Sequence, residues 1–312
     1  MSQGTIVIAL GGNAMLQRGE AGSYEGQLKN VQAAAEQIIL LRDLGWNVVL
    51  TSGNGPQVGA IQLQTQTASH VAPEMPLHVC GAMSQGFIAY MITMCIGNIL
   101  RARGEEAKVA GIITQSVVSE EDPAFVNPTK PVGRFYTEEE AMEIRKTGKQ
   151  IREDAGRGWR VVVPSPQPLE IVEQPAIERL VADGFVVVST CGGGIPVLRK
   201  AGVLEGVNAV IDKDLATSLL AREIAADHLC ILTDVKNVAI NYGKPDQQTL
   251  GRVEVSEMER YLAEGHFAPG SMAPKVRAAI QFVRATGKPA IITSLFSAVG
   301  AVRGECGTVV VP

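Results

Sequence analysis

The chain has 312 residues, 46% of them hydrophobic and 19% charged, with 28 basic and 32 acidic side chains for a net charge of −4. That length suits two lobes sharing a large sheet, and the composition is that of an ordinary globular protein. The mild acidity excludes a global electrostatic footprint for nucleic acid or an anionic membrane, so an anionic small substrate would need local lysines or arginines.

In chain order, TIVIAL (Thr5–Leu10) is a strand-like run that ends in Gly11-Gly12-Asn13. From Tyr24 to Leu44, Leu28, Val31, Ala34, Ala35, Ile38, Leu41 and Leu44 make one apolar helical stripe, and Gly45 is placed to end it. NVVLTS (Asn47–Ser52) runs into Gly53-Asn54-Gly55. A helix is predicted over Ala82–Ala102; its apolar run Gly86–Leu100 falls short of the roughly 20 residues of a membrane span and reads as buried. After a strand at Val109–Thr114 comes Ser119–Tyr136, a polar, proline-rich stretch of a length usually reserved for function or disorder. A helix over Thr137–Glu153, opened by a Thr137/Glu140 capping box, and a strand at Arg160–Pro164 follow. Glu120–Gln167 therefore reads as a small excursion beside the main sheet, with a plain surface insertion as the alternative.

A helix over Gln174–Ala182 leads to the strand FVVVSTC (Phe185–Cys191), which ends in Gly192-Gly193-Gly194. Ile195–Ile211, with Lys200-Ala201-Gly202 at its centre, reads as a hairpin. Helices over Lys213–Ala225, Val255–Ala263 and Met272–Thr286 and strands at Leu229–Thr233, Ala290–Ser294 and Thr308–Val311 complete the pattern. The alternation specifies an α/β protein with a largely parallel sheet and helices on both faces.

The glycines at three strand ends let backbone N–H groups approach an anion closely. The chain has no G-x-x-x-x-G-K-[ST], and GNGPQVG lacks the G-x-G-x-x-G spacing. Phosphate-cradling turns without either motif point to a kinase of another lineage. Phosphoryl transfer requires positioning and positive charge, and three lysines are placed to supply it. Lys213, in VIDKDL, opens a helix where the dipole disfavours a cation but suits Asp212 and Asp214. It is either a solvated neighbour of a capping aspartate or an ammonium held by Asp214 and aimed at a phosphate. Lys275, in PGSMAPK, lies in a first turn with Pro274; a capped surface helix is the alternative. Lys130, in NPTKPVG, is stiffened by flanking prolines, as a lid residue or as an ordinary exposed lysine. Asp234 follows the strand Leu229–Thr233, at the edge where a parallel sheet meets its ligands. Five cysteines without a C-x-x-C and four histidines without ligand spacing argue against a zinc site. The odd cysteine count and the lack of a leader-like N-terminus point to reduced thiols in the cytoplasm.

Nine segments, in order along nearly the whole chain, resemble the carbamate kinases of the amino acid kinase family. They are ALGGNA (Ala9–Ala14), SGNGPQVG (Ser52–Gly59), CGAMSQG (Cys80–Gly86), NPTKPVG (Asn127–Gly133), CGGGIPV (Cys191–Val197), VIDKDLA (Val210–Ala216), LTDV (Leu232–Val235), INYGKP (Ile240–Pro245) and GHFAPGSMAPKV (Gly265–Val276). The resemblance implies an open αβα sandwich on a mostly parallel sheet of about eight strands, with a small protruding subdomain near 120–167. It implies an N-terminal lobe over 1–205 for carbamoyl phosphate and a C-terminal lobe over 206–312 for ADP or ATP. The implied reaction is reversible phosphoryl transfer between carbamoyl phosphate and ADP, giving ATP and carbamate, with Mg²⁺ present, in a cytoplasmic homodimer. Breakdown of arginine or a related nitrogen compound is the expected setting. No nucleic acid or membrane partner is implied.

Carried over by motif, Gly11, Gly12, Asn13, Gly53, Asn54 and Gly55 would cradle carbamoyl phosphate. Lys213 and Lys275 would neutralise the moving phosphoryl group, Asp214 would orient them, and Lys130 would close over the substrate. Asp234, Tyr242 and Met272 would line the nucleotide site, and no protein metal ligand is implied. Ser52, Lys236 and Ala239 depart from the histidine, aspartate and aromatic residue more usual at those places. A kinase of the same fold with another acceptor, or a binding protein without catalysis, are the competing readings.

Overall fold

The computed structural model describes residues 3–17, 19–154 and 158–312, and only the backbone of Asn13. Eight strands form the main sheet: β1 (Gly4–Leu10), β2 (Trp46–Ser52), β3 (Val109–Gly111), β4 (Val186–Val188), β5 (His228–Thr233), β6 (Arg252–Glu254), β7 (Ala290–Ser294) and β8 (Thr308–Val311). Their order is β6-β8-β7-β5-β1-β2-β4-β3, and only the β7–β8 pair is antiparallel. Strands β1–β4 make one half and β5–β8 the other, joined where β1 pairs with β5 in register Ile6–His228 to Ala9–Ile231.

The helices are α1 (Tyr24–Asp43), α2 (Gly55–Thr67), α3 (Leu77–Ala102), α4 (Glu138–Lys146), α5 (Gln174–Ala182), α6 (Lys213–Glu223), α7 (Val255–Ala263), α8 (Met272–Thr286) and α9 (Ala298–Val302). Strand alternation sends Ile6, Ile8 and Leu10 into a core with α1, α3 and α9, while Val7 and Ala9 face α5, α6, α7 and α8. Both faces are buried, which is why β1 reads as a continuous apolar run.

Several boundaries differ from the sequence reading, each for a physical reason. The helix predicted over Thr137–Glu153 ends at Lys146: its capping box is present, but Gly148 takes φ +81° and Ile151–Glu153 returns as a strand. That strand, Trp159–Val163 and Lys130–Tyr136 form a separate three-stranded sheet against which α4 packs. The predicted strand Arg160–Pro164 therefore belongs to this small sheet, and the eighth main strand is β6, three residues with only Val253 buried. Of the predicted Val109–Thr114 only Val109–Gly111 is strand, as β3; residues 112–114 leave the main sheet and Gln115–Val117 follows as a strand of a second, four-stranded sheet.

The segment GPQVGAIQLQTQT forms α2 although two glycines and four glutamines blur its pattern. Helix α3 begins at Leu77, so the Gly86–Leu100 run lies inside 26 helical residues. By length and composition it is the one helix among the described residues that could cross a membrane. Its Ile88, Ile92, Ile96 and Leu100 are packed into the core beside α1. The hairpin is as expected: Ile195–Lys200 pairs with Val203–Gly206 across Ala201 and Gly202, at φ +49° and +84°.

Candidate active site

The carboxyl ends of β1 and β2 exit side by side, and Gly53 N donates to Leu10 O at 3.3 Å. Gly11 and Gly12 turn away from β1 in a short 3₁₀ turn over Gly12–Ala14. A Cβ on Gly11 would lie 3.0 Å from Leu232 O, so the close approach of β1 and β5 leaves little room for any side chain there. Asn54 precedes α2, and its Nδ2 donates to Ser84 Oγ on α3 at 2.8 Å. Gly192, at φ +69°, runs directly against the Asn54 amide, where any Cβ would overlap it. Three strand-end turns thus meet at one place.

Helix α6 brings the charge. Asp212 caps it, Oδ1 accepting from Asp214 N at 3.0 Å. Lys213 Nζ donates to Leu10 O at 2.8 Å and lies 3.2 Å from Asp214 Oδ1. Lys275 Nζ, from the first turn of α8, donates to Asp214 Oδ2 at 3.1 Å. The Lys213, Asp214 and Lys275 side chains are 12%, 4% and 14% exposed, so two cations share one carboxylate out of water. The contact at Oδ1 is an ion pair without hydrogen-bond alignment. Burial pushes the Lys213 ammonium below its usual range, opposed by Asp214. Burial pulls the Asp214 carboxyl upward, but Lys213 and Lys275 overcome it and hold the group ionised below the ordinary aspartate value.

Hydroxyls pin this helix. Thr217 Oγ1 donates to Lys213 O at 2.6 Å and lies 2.6 Å from Thr51 Oγ1 of β2. Its one proton is thereby committed, so Thr51 donates to Thr217. Ser218 Oγ donates to Ala278 O of α8 at 2.9 Å. Helix α6 is therefore fixed both to the strand that leads into Gly53-Asn54-Gly55 and to the helix that carries Lys275.

A cavity of about 200 Å³ lies between these elements, lined by Gly53, Asn54, Gly55, Gly192, Lys213, Asp214 and Lys275. Lys130, at the start of the small three-stranded sheet, lines its edge, its Nζ donating to Asp212 Oδ2 at 2.9 Å. Three lysines against two aspartates leave one positive charge unmatched, which suits an anionic occupant. A larger cleft, about 410 Å³, lies beyond β1, β5 and β7 and contains Gly11 and Asp234; no lysine or arginine is among its described lining residues. The charge and the converging turns make the smaller cavity the candidate reaction centre.

The structure therefore brings together Lys130, Lys213, Asp214, Lys275, Gly53, Asn54 and Gly55, with Gly12 3.9 Å from a Cβ position on Gly53. Tyr242 is 69% exposed on the loop after Ile240, and Met272 packs against the core at the start of α8; neither lines the cavity. The Asn13 side chain lies outside the described residues.

The sequence matches the amino acid kinase family over residues 4–294. A carbamate kinase of Giardia intestinalis is 57% identical over 312 residues, spanning 99% of this chain and 98% of that one. The chain belongs to the amino acid kinase family and, within it, to the carbamate kinases. A carbamate kinase of Thermococcus kodakarensis is 54% identical over 98% of each chain. The solved structure of carbamate kinase from Giardia lamblia bound to AMP-PNP matches with a TM-score of 0.94 at 58% identity, covering 100% of this chain and 99% of that one. In this carbamate kinase family member, sequence reasoning missed Asp212 as the partner of Lys130 and Thr51 and Thr217 as supports of Lys213. The capping pattern at Asp212 was legible; its second bond was not.

Proposed function

We propose that this chain transfers a phosphoryl group reversibly between carbamoyl phosphate and ADP, giving ATP and carbamate. The observation that carries the proposal is the buried cluster in which Lys213 and Lys275 share Asp214 at a cavity edged by glycine turns. A fixed, dehydrated excess of positive charge is a preorganised receptor for a transferring phosphoryl group. In this reading Lys213 and Lys275 neutralise that group, Asp214 orients both lysines, and Lys130 closes over carbamoyl phosphate. Gly11, Gly12, Asn13, Gly53, Asn54 and Gly55 cradle the same substrate, while Asp234, Tyr242 and Met272 border the nucleotide. A β-phosphate oxygen of ADP attacks phosphorus as its bond to the carbamate oxygen breaks. Carbamate departs as an anion, so no side chain has to exchange a proton.

We read 1–205, with its lid near 120–167, as the carbamoyl phosphate lobe and 206–312 as the nucleotide lobe. The division of the sheet into β1–β4 and β5–β8 halves supports this. Among the described residues no group of three or more His, Cys, Asp or Glu could hold a metal ion, and Asp214 is committed to two lysines. A protein-built Mg²⁺ cage does not fit that donor set; Mg²⁺ would enter on the nucleotide phosphates with water as its other ligands.

A homodimer in the cytoplasm completes the proposal. Met83, Phe87 and Tyr90 follow one face of α3, with Met83 46% and Tyr90 55% exposed, and an apolar stripe of this kind suits a second copy of the chain. All five cysteines are unpaired, as in a reducing compartment. Breakdown of arginine or a related nitrogen compound is a fitting source of the substrate.

The test is ATP formation from ADP and carbamoyl phosphate with Mg²⁺, beside acetyl phosphate as control donor. Turnover specific to carbamoyl phosphate is expected. A folded, ADP-binding protein that is silent with both donors would refute the assignment. Sedimentation of the wild type and Tyr90→Glu tests the dimer, which the charge should dissociate.

A further inference from the structure

We propose that Asp212 is the docking carboxylate of the lid, a positioning residue that holds Lys130 over the cavity and ties lid closure to the helix carrying Lys213 and Asp214. The inference rests on the reading of Lys130 as a lid residue and extends it to the other side of the contact. Asp212 divides its oxygens between two tasks: Oδ1 caps α6 through Asp214 N at 3.0 Å, and Oδ2 accepts from Lys130 Nζ at 2.9 Å. The cap fixes the carboxylate, so its second oxygen is offered in one direction whether or not the lid is down. Asp212 is 15% exposed and Lys130 41%, so a set anion receives an adjustable cation.

The place of Lys130 in the lid gives the contact leverage. Lys130 opens the first lid strand and pairs with Val163, the last residue of the central one, so holding it holds both strands at the lid's base. A second contact acts on the same strip of chain: Val210 N donates to Pro164 O at 3.0 Å, just past that central strand. Residues 210–212 thus receive the lid through one backbone and one side-chain bond. Asp212 also offsets the repulsion that Lys130 would meet beside Lys213 and Lys275. An ammonium has three donors, and Asp212 occupies one, leaving two for an anion in the cavity.

Asp212→Asn separates the two tasks, because asparagine caps a helix as well as aspartate but carries no charge. Amide exchange without substrate should rise about 5-fold in Lys130–Tyr136 and Trp159–Val163, the size an ion pair of this exposure supports, while α6 stays protected. Asp212→Ala, which loses the cap as well, should also speed exchange in the first turn of α6. In steady state, Asp212→Asn should raise KM for carbamoyl phosphate about 5-fold, leave KM for ADP unchanged, and add nothing in a Lys130→Ala background. Unchanged lid exchange in Asp212→Asn, or effects that add to those of Lys130→Ala, would overturn the docking role. Absence of carbamoyl phosphate turnover in the wild type would sink the proposed function instead, and the exchange experiment, which needs no substrate, would still decide the docking.

Discussion

Two carboxylates two residues apart at one helix terminus hold lysines in opposite ways. Asp214 is sealed and grips Lys213 and Lys275 together, whereas Asp212 meets Lys130 at a half-open edge. Burial makes the first cluster rigid and electrostatically strong; water makes the second pair weak and reversible. In the proposed function, the same residue types at nearly the same point of the chain would furnish a fixed charge receptor and a movable closure.

The sharpest way to break this comparison is Asp214→Ala, which would leave two buried ammonium groups without their carboxylate. A stability loss of about 3–5 kcal/mol is expected in denaturant unfolding, together with collapse of kcat. An unchanged unfolding midpoint would deny the buried cluster its role. Next, Lys213→Ala and Lys275→Ala should each lower kcat by about 100-fold or more, the effect of losing one preorganised donor. Lys130→Ala should act chiefly on KM for carbamoyl phosphate and change stability by less than about 1 kcal/mol. A main effect of Lys130→Ala on KM for ADP would erase the distinction between closure and receptor.

Gly192→Ala tests the backbone side of the receptor. Its φ of +69° and its contact with the Asn54 amide predict a stability loss of about 1–3 kcal/mol in thermal or denaturant melts, with a weaker KM for carbamoyl phosphate. The smallest effect lies at the far end of α6. Burial pushes Glu223 up to about 6, although the Ile171 N–H it accepts from opposes the shift. The folded state therefore holds this proton more tightly than the unfolded one, and stability declines as pH rises from about 4.5 to about 6. Glu223→Gln should remove that decline, raising Tm at pH 7.5 but not at pH 4; a parallel pH profile in both proteins would contradict it.

Much of the fold was legible because its signals are local. Strands buried on both faces, such as Ile6–Leu10 and Val48–Leu50, must be apolar throughout, and that pattern is unmistakable. Helix α1 announced itself by its stripe and by Gly45, which takes φ +94° at its end. Helix α2 was hidden because only Gln57 and Val58 are buried, leaving little periodicity to read. The helical pattern of α4 carries past Gly148, beyond where the helix ends, and β6, three residues with one buried valine, is too short to show a pattern.

The site divides along the same line. The glycine turns, the capping aspartates and the lysines set against their helix dipoles are written in the chain, since each is a matter of a few adjacent residues. Which carboxylate takes which lysine depends on long-range folding. Asp214 reaches Lys275 across 61 positions, and Asp212 reaches Lys130 across 82. Two aspartates flanking one lysine look equivalent along the chain. On the folded helix the cap turns one toward Lys130, packing against α8 buries the other, and the depth of burial separates the two pairs.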